Sequence, residues 1–269
     1  MMGIHAKGIS AGYGDKSILS SIDIAFEDQK FSIIAGPNGT GKTTLLTCLA
    51  GLAKPTSGEV FIGKKRIAKL GRKEIAKKIA YLPQSVESAF DLKVREVVLM
   101  GRAPHLGMLG VHGDEDQSIA DEAMAFTDVS HLAQRNISAL SGGERQRVFI
   151  SRAVCQQTDF ILLDEPTSAL DPAHQLRIME LMNQLKTQRG TGIIMVSHDL
   201  NLAAMYADTL CLLHKGRIAA MGTPEEILTA PQLSDVYGCA IEVEKSRNHG
   251  LIHVTPLPER LTKTKQQHP

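Results

Sequence analysis

The sequence contains no Trp, and aromatic residues make up only 4% of its 269 positions. No platform is left on which successive nucleic-acid bases could stack. An excess of one charge is also missing. The 30 Lys and Arg against 29 Asp and Glu leave a formal net charge of +1, so no bulk field draws the chain onto nucleic acid or anionic lipid. No run of about 20 apolar residues occurs, so no segment is expected to span a bilayer. The N-terminus has no signal-peptide apolar core. Cysteine is sparse. Cys48, Cys155, Cys211 and Cys239 show no CxxC spacing and no neighbouring His cluster, which argues against a zinc site or a disulfide framework. Three of them lie in apolar stretches and read as small buried hydrophobes.

What is present is an ordinary globular composition, 43% hydrophobic and 22% charged, long enough for a sizeable core. Ile18 to Phe26 alternates in part and ends in the charged turn Glu27-Asp28-Gln29-Lys30, which reads as strand and turn. Phe31 to Ala35 is a compact apolar run leading into a Gly-rich turn, and Lys42 to Leu52 then carries Leu45, Leu46, Leu49 and Leu52 at helical spacing. Glu59 to Ile62 reads as a short strand after the turn at Pro55 to Gly58. Residues 87 to about 139 read as a helical insert, with periodic segments at Leu92 to Met100 and Asp114 to Leu132. Beyond it, Phe160 to Leu163 and Ile193 to Val196 are apolar runs too short for helices and suited to buried parallel strands. Ala173 to Gln188 between them reads as helix. This alternation predicts an α/β fold with a mainly parallel sheet. Pro224 to Thr229 reads as a Pro-initiated helix, Leu251 to Val254 as a strand, and the polar end from about Glu259 as disordered.

Gly36-Pro37-Asn38-Gly39-Thr40-Gly41-Lys42-Thr43 fits GxxxxGK[ST]. Glycines let successive N–H groups turn inward to form an anion nest, and the following helix adds its positive N-terminus. Lys42 places a cation on the β- and γ-phosphates, and Thr43 offers a hydroxyl to Mg²⁺. The strand before and the helix after supply the required context. The loop alone says nucleoside triphosphate, not which reaction.

Phe160 to Leu163 runs into two acids, Asp164 and Glu165. Ligands gather at the carboxyl ends of strands in an open parallel sheet. Asp164 is therefore expected near the phosphate loop, holding Mg²⁺ directly or through water. Glu165 is placed to polarise a water against the γ-phosphate. His198 follows the strand at Ile193 to Val196 and could donate to the same phosphate.

Leu140-Ser141-Gly142-Gly143-Glu144 forms a second Gly-rich turn, with Ser141 as a candidate N-cap. It resembles the signature motif of ABC-type ATPases, and the resemblance extends from about residue 4 to 240. It implies a P-loop NTPase whose mainly parallel core sheet carries an N-terminal antiparallel β subdomain and the helical insert, with 241–269 as a short tail. It implies that Tyr13 stacks on adenine, that Thr44 joins the ATP-binding residues, and that Gln84 senses Mg²⁺ and the attacking water and relays to a transmembrane partner. Ser168-Ala169-Leu170-Asp171 looks like the loop that crosses to a second subunit, and His198 like the switch histidine. In this family two subunits pack head to tail. Ser141, Gly142, Gly143 and Glu144 of one chain then close over ATP held by Gly36 to Thr43 of the other.

With one nucleotide domain and no transmembrane span, the chain resembles the separate ATPase subunits of bacterial importers. Gly101-Arg102-Ala103-Pro104-His105 resembles a segment of importers of ferric siderophores, haem and cobalamin. The insert and the Gln84 loop are then expected to form a groove for a permease helix. An extracytoplasmic binding protein acts indirectly, and the chain sits at the cytoplasmic face of the inner membrane. Ferric siderophore is the first choice of cargo, on family frequency. An exporter ATPase and a soluble complex-remodelling ATPase are the alternatives. A P-loop kinase or GTPase is disfavoured by Ser141 to Glu144 and by the missing guanine-reading sequence.

Overall fold

The computed structural model describes residues 3–14, 16–84, 91–107, 110–246 and 249–258. The expected disordered end from Glu259 and the first residues of the insert fall outside them. In chain order the first half comprises β1 (Gly3–Tyr13), β2 (Lys16–Glu27), β3 (Phe31–Ala35), α1 (Lys42–Leu49), β4 (Ser57–Ile62), β5 (Lys65–Arg66), α2 (Arg72–Ala76), β6 (Ile79–Leu82), α3 (Val94–Leu99), α4 (Asp114–Phe126) and α5 (Gly142–Cys155). Then follow β7 (Phe160–Asp164), α6 (Pro172–Arg189), β8 (Gly192–Val196), α7 (Leu200–Tyr206), β9 (Thr209–His214), β10 (Arg217–Gly222), α8 (Pro224–Ile227), α9 (Ala230–Tyr237), β11 (Ile241–Lys245) and β12 (Ile252–Pro256).

Strands β10-β9-β3-β8-β7-β6 form the six-stranded sheet, and β2-β1-β4-β5 form a separate antiparallel sheet. The central pairings β3–β8, β3–β9, β7–β8 and β6–β7 are parallel, and only β10 runs antiparallel on its neighbour β9. Every residue of β3, β7 and β8 is buried. Their apolar runs do not alternate because both faces of the sheet are covered. Phe31, Ile33, Ile161, Leu163, Ile193 and Met195 face one core, shared with α3 to α7. Ile34, Phe160, Leu162, Ile194 and Val196 face the other, shared with α1 and the antiparallel sheet. Each such side chain contributes on the order of 1.5–3 kcal/mol when fully buried. The central strands are therefore rigid supports for whatever their ends carry.

The expected helix at Lys42 to Leu52 ends at Leu49, and Leu52 is exposed. Strands β11 and β12 pair antiparallel as a separate two-stranded sheet, whose Ile241, Ile252 and Val254 enter the first core. Asn201 on α7 clasps it, accepting from the Val254 amide at 2.8 Å. Cys48, Cys155 and Cys211 are buried free thiols, and Cys239 is exposed. Burial pushes the first two up to about 11 and Cys211 to about 12.

Candidate nucleotide-binding and catalytic site

The carboxyl ends of β3, β7 and β8 lie side by side, and each delivers part of one site. Beyond β3, Gly36 to Gly41 wraps into the start of α1. Gly36 has φ 147, and a Cβ there would lie 2.1 Å from the Leu213 carbonyl oxygen. Only glycine lets the loop pass this close to β9. Gly41 caps α1, and its carbonyl accepts from the Leu45 amide at 2.8 Å. The Thr40 hydroxyl donates to the Pro37 carbonyl at 2.9 Å, which closes the loop on itself. Asn38 and Gly39 are exposed, and Thr44 is buried at the start of α1.

Lys42 is 5% exposed, and its ammonium donates to the carbonyls of Gly36 and Pro37, both at 2.9 Å. Burial lowers its pKa, while the charges of Glu165 and Asp164 oppose that shift. A cation held by neutral carbonyls in a part-buried loop is poised to exchange one of them for a phosphate oxygen.

Asp164 closes β7 and is 2% exposed. Its carboxylate accepts from the Thr43 hydroxyl at 3.1 Å. Burial raises its pKa, the Thr43 hydroxyl opposes, Glu165 raises it further, and Lys42 and the Tyr81 hydroxyl favour the charged form. A buried carboxylate and a hydroxyl side by side are hard oxygen donors of the kind Mg²⁺ takes, with water and phosphate filling the remaining positions. The residues present therefore fit that ion.

Glu165 turns the chain out of β7 with φ 47, and its amide donates to the Val196 carbonyl at 3.2 Å. Two side chains converge on its carboxylate. Gln84, just beyond β6, donates from Nε2 to Oε2 at 2.8 Å. His198, beyond β8, contacts Oε1 through Nε2. The Ser197 amide donates to the Ile34 carbonyl at 3.1 Å, which ties the His198 turn to β3. Gln84, Glu165 and His198 are thus brought together from three strand ends. A cavity of about 530 Å³ opens beside them, walled in part by Ser168, Tyr237 and Val254.

Ser141 to Glu144 stands apart. Among the described residues no hydrogen bond or ion pair joins it to Gly36 to Thr43. Ser141 caps α5, accepting from the Glu144 amide at 3.3 Å. Glu144 returns its carboxylate to the Ser141 amide at 2.9 Å and the Ser141 hydroxyl at 2.8 Å. This is a capping box. The Ser141 hydroxyl, then its amide, hold the Glu144 carboxyl below its usual range. Glu144 therefore braces the turn that presents Ser141 and Gly142, both exposed. Ser168 and Ala169 are exposed as well, and Asp171 caps α6. The Tyr13 backbone pairs with Lys16 at the end of β1, and its side chain lies outside the described residues.

In the segment Gly101 to His105, Arg102 and His105 are engaged within the chain. Arg102 is 5% exposed. It donates to Asp116 at 2.9 Å, to the Cys155 carbonyl at 3.1 Å and to Gln157 at 3.0 Å. His105 Nε2 lies 2.9 Å from the Gln156 carbonyl. The segment staples the insert to the end of α5, while Met100 beside it is exposed. Sequence reasoning also missed Tyr81 on β6, whose hydroxyl bonds Asp164 and whose signal was only its place three residues before Gln84, and Asp199, which caps α7.

The chain is similar to proteins of one known family. Residues 19–168 match the family model described as ABC transporter. The iron(3+)-hydroxamate import ATP-binding protein FhuC of Bacillus subtilis (strain 168) is 40% identical over 90% of each chain. The hemin import ATP-binding protein HmuV of Thermobifida fusca (strain YX) is 41% identical over 94% of this chain and 88% of its own. Among solved structures, an inward-facing ABC transporter of metal-chelate type superposes with a TM-score of 0.86 at 27% identity, covering 97% of this chain and all (100%) of that one. The dimeric ATP-binding cassette MJ0796 bound to ADP and Pi gives 0.73 at 28% identity, over 82% of this chain and 98% of that one.

Proposed function

This chain belongs to the ABC transporter family, and on that premise we propose that it is the ATP-hydrolysing subunit of an importer that carries a metal chelate through a separate permease. The observation that carries the catalytic part is the convergence of Gln84 and His198 on Glu165, next to the Thr43–Asp164 pair and Lys42. The cargo part is supported by relatives named for ferric siderophore and haem import. Ferric siderophore is the first choice, with haem and cobalamin as the others.

ATP enters along Gly36 to Thr44, where backbone amides and the start of α1 receive its phosphates. Lys42 trades a backbone carbonyl for a phosphate oxygen. Mg²⁺, when bound by Thr43 and Asp164, supplies charge neutralisation to the β- and γ-phosphates. Glu165 accepts a proton from the attacking water. The water oxygen bonds to the γ-phosphorus, the bond to the β–γ bridging oxygen breaks, and ADP and phosphate result. Gln84 and His198 hold the Glu165 carboxylate and leave it as the γ-phosphate and water arrive.

Ser141 and Gly142 complete the site from a second copy of the chain, which explains why the braced turn meets no phosphate loop of its own. Gln84 carries the state of the site to the permease. Among the described residues no helix is long and apolar enough to cross a membrane. On the likeness to import ATP-binding subunits, the permease holds the subunit at the cytoplasmic face of the inner membrane. The test is copurification of the tagged chain from membranes. A many-spanning membrane protein should come with it in stoichiometric amount. Recovery of soluble partners alone would favour a complex-remodelling ATPase.

A further inference from the structure

His174 has no part in the chemistry above, yet its ring lies against both segments read as facing the second subunit. It occupies the third position of α6. Asp171 accepts the His174 amide at 3.0 Å through Oδ1, and His174 Nδ1 lies 2.8 Å from Oδ2. These two contacts, the amide first, hold the Asp171 carboxyl below its usual range. The other edge of the ring covers Gly143. A Cβ at Gly143 would lie 2.5 Å from His174 Cδ2 and 2.9 Å from Nε2, whereas a Cβ at Gly142 would meet nothing within 4 Å. Gly143 is not among the glycines with positive φ. Within the chain, its missing side chain is therefore explained by the ring and not by the backbone. Among the described residues no hydrogen bond or ion pair joins Ser141–Glu144 to Ser168–Asp171. The imidazole is packed between them, anchored on Asp171 and seated on Gly143.

We propose that His174 is a positioning residue: its ring, braced by Asp171, fixes the spacing between the turn at Ser141 to Gly143 and the loop at Ser168 to Asp171, so that both meet the second subunit as one surface around ATP. This rests on the reading of those segments as dimer faces. A ring that leaves no room for a Cβ at Gly143 transmits displacement with little slack. A shift of about 1 Å in a site-forming group is enough to cost up to a hundredfold. Loss of the ring leaves the cap of α6 intact if the Asp171 bond to the His174 amide is retained.

The experiment uses the full chain in a Glu165→Gln background and reads ATP-driven dimerisation by light scattering. Nucleotide binding to the monomer is read in parallel by fluorescence at low protein concentration. His174→Ala should raise the ATP concentration for half-maximal dimer by about tenfold or more, with monomer binding unchanged. His174→Asn, which keeps a donor for Asp171 but has no ring, should behave the same way. Gly143→Ala should lower the thermal midpoint of the nucleotide-free chain when His174 is present, and should not when position 174 is Ala. The proposal is overturned if either His174 variant dimerises at the parent's ATP concentration, or if its monomer binding weakens in equal measure. It is also overturned if the cost of Gly143→Ala is indifferent to residue 174. Failure of the Glu165→Gln parent itself to dimerise would overturn the dimer reading beneath it.

Discussion

Arg102→Ala separates a structural staple from a partner contact. Arg102 is 5% exposed in the wild type, and its guanidinium meets three acceptors, Asp116, the Cys155 carbonyl and Gln157. Removing one member of a buried ion pair costs about 3–5 kcal/mol, because the other charge is left without compensation. The Asp116 side chain keeps 16% exposure, so solvent recovers part of that loss and the lower end applies, about 3 kcal/mol. For a chain of this size about 1 kcal/mol shifts the midpoint by roughly 2–4 °C. Thermal unfolding should therefore fall by roughly 6–12 °C. The Arg102 hydrogen bond is the first cause that holds the Asp116 carboxyl below its usual range. A depressed carboxyl stabilises above its unfolded pKa and loses that contribution as pH falls through its folded value. The Arg102→Ala deficit should thus be full at neutral pH and shrink in acid. Arg102→Ala should be less stable than wild type in both the free subunit and the permease complex. Unchanged unfolding, with loss of permease binding, would refute the staple and make Arg102 a partner contact.

Lys42→Ala removes the one buried ammonium of the phosphate loop and should weaken ATP binding by about 1.5–3 kcal/mol, the range for charge-assisted hydrogen bonds; equilibrium fluorescence titration measures it, and unchanged affinity would reject the loop's role. Asp164→Asn should abolish most hydrolysis yet raise the thermal midpoint of the nucleotide-free chain. The Asp164 pKa is raised by burial, so its stabilising contribution is present only at low pH and is lost as pH rises through the folded value. The midpoint gain should accordingly be largest at neutral pH and vanish in acid. Asn201→Ala should loosen the β11–β12 sheet by about 1 kcal/mol, the net worth of a hydrogen bond, seen as faster amide exchange at Val254.

The site was legible in the sequence where function demands a local pattern. The phosphate loop, the acids after Leu163 and His198 each sit at the end of an apolar run, and β3, β7 and β8 bring those ends together. The signature turn was legible because its capping box spans only Ser141 to Glu144. What was not legible depends on contacts distant in sequence. Arg102 finds Cys155 and Gln157 across the insert, and a Gly-Arg-x-Pro-His string does not say which way its arginine faces. The seat of His174 on Gly143 and the clasp of Val254 by Asn201 belong to the same class. They are set by how helices pack, and neither leaves a periodic signal.

The central claim is that ATP joins two copies of this chain and that Glu165 ends the union. Glu165→Gln keeps the shape of the side chain and removes its basicity. Incubated with ATP and Mg²⁺, the variant should elute as a stable dimer and hydrolyse slower by about 10²–10⁴-fold, the range for a lost general base. The wild type should return to monomer as ATP is consumed. A variant that stays monomeric, or that turns over ATP at the wild-type rate, would contradict the account.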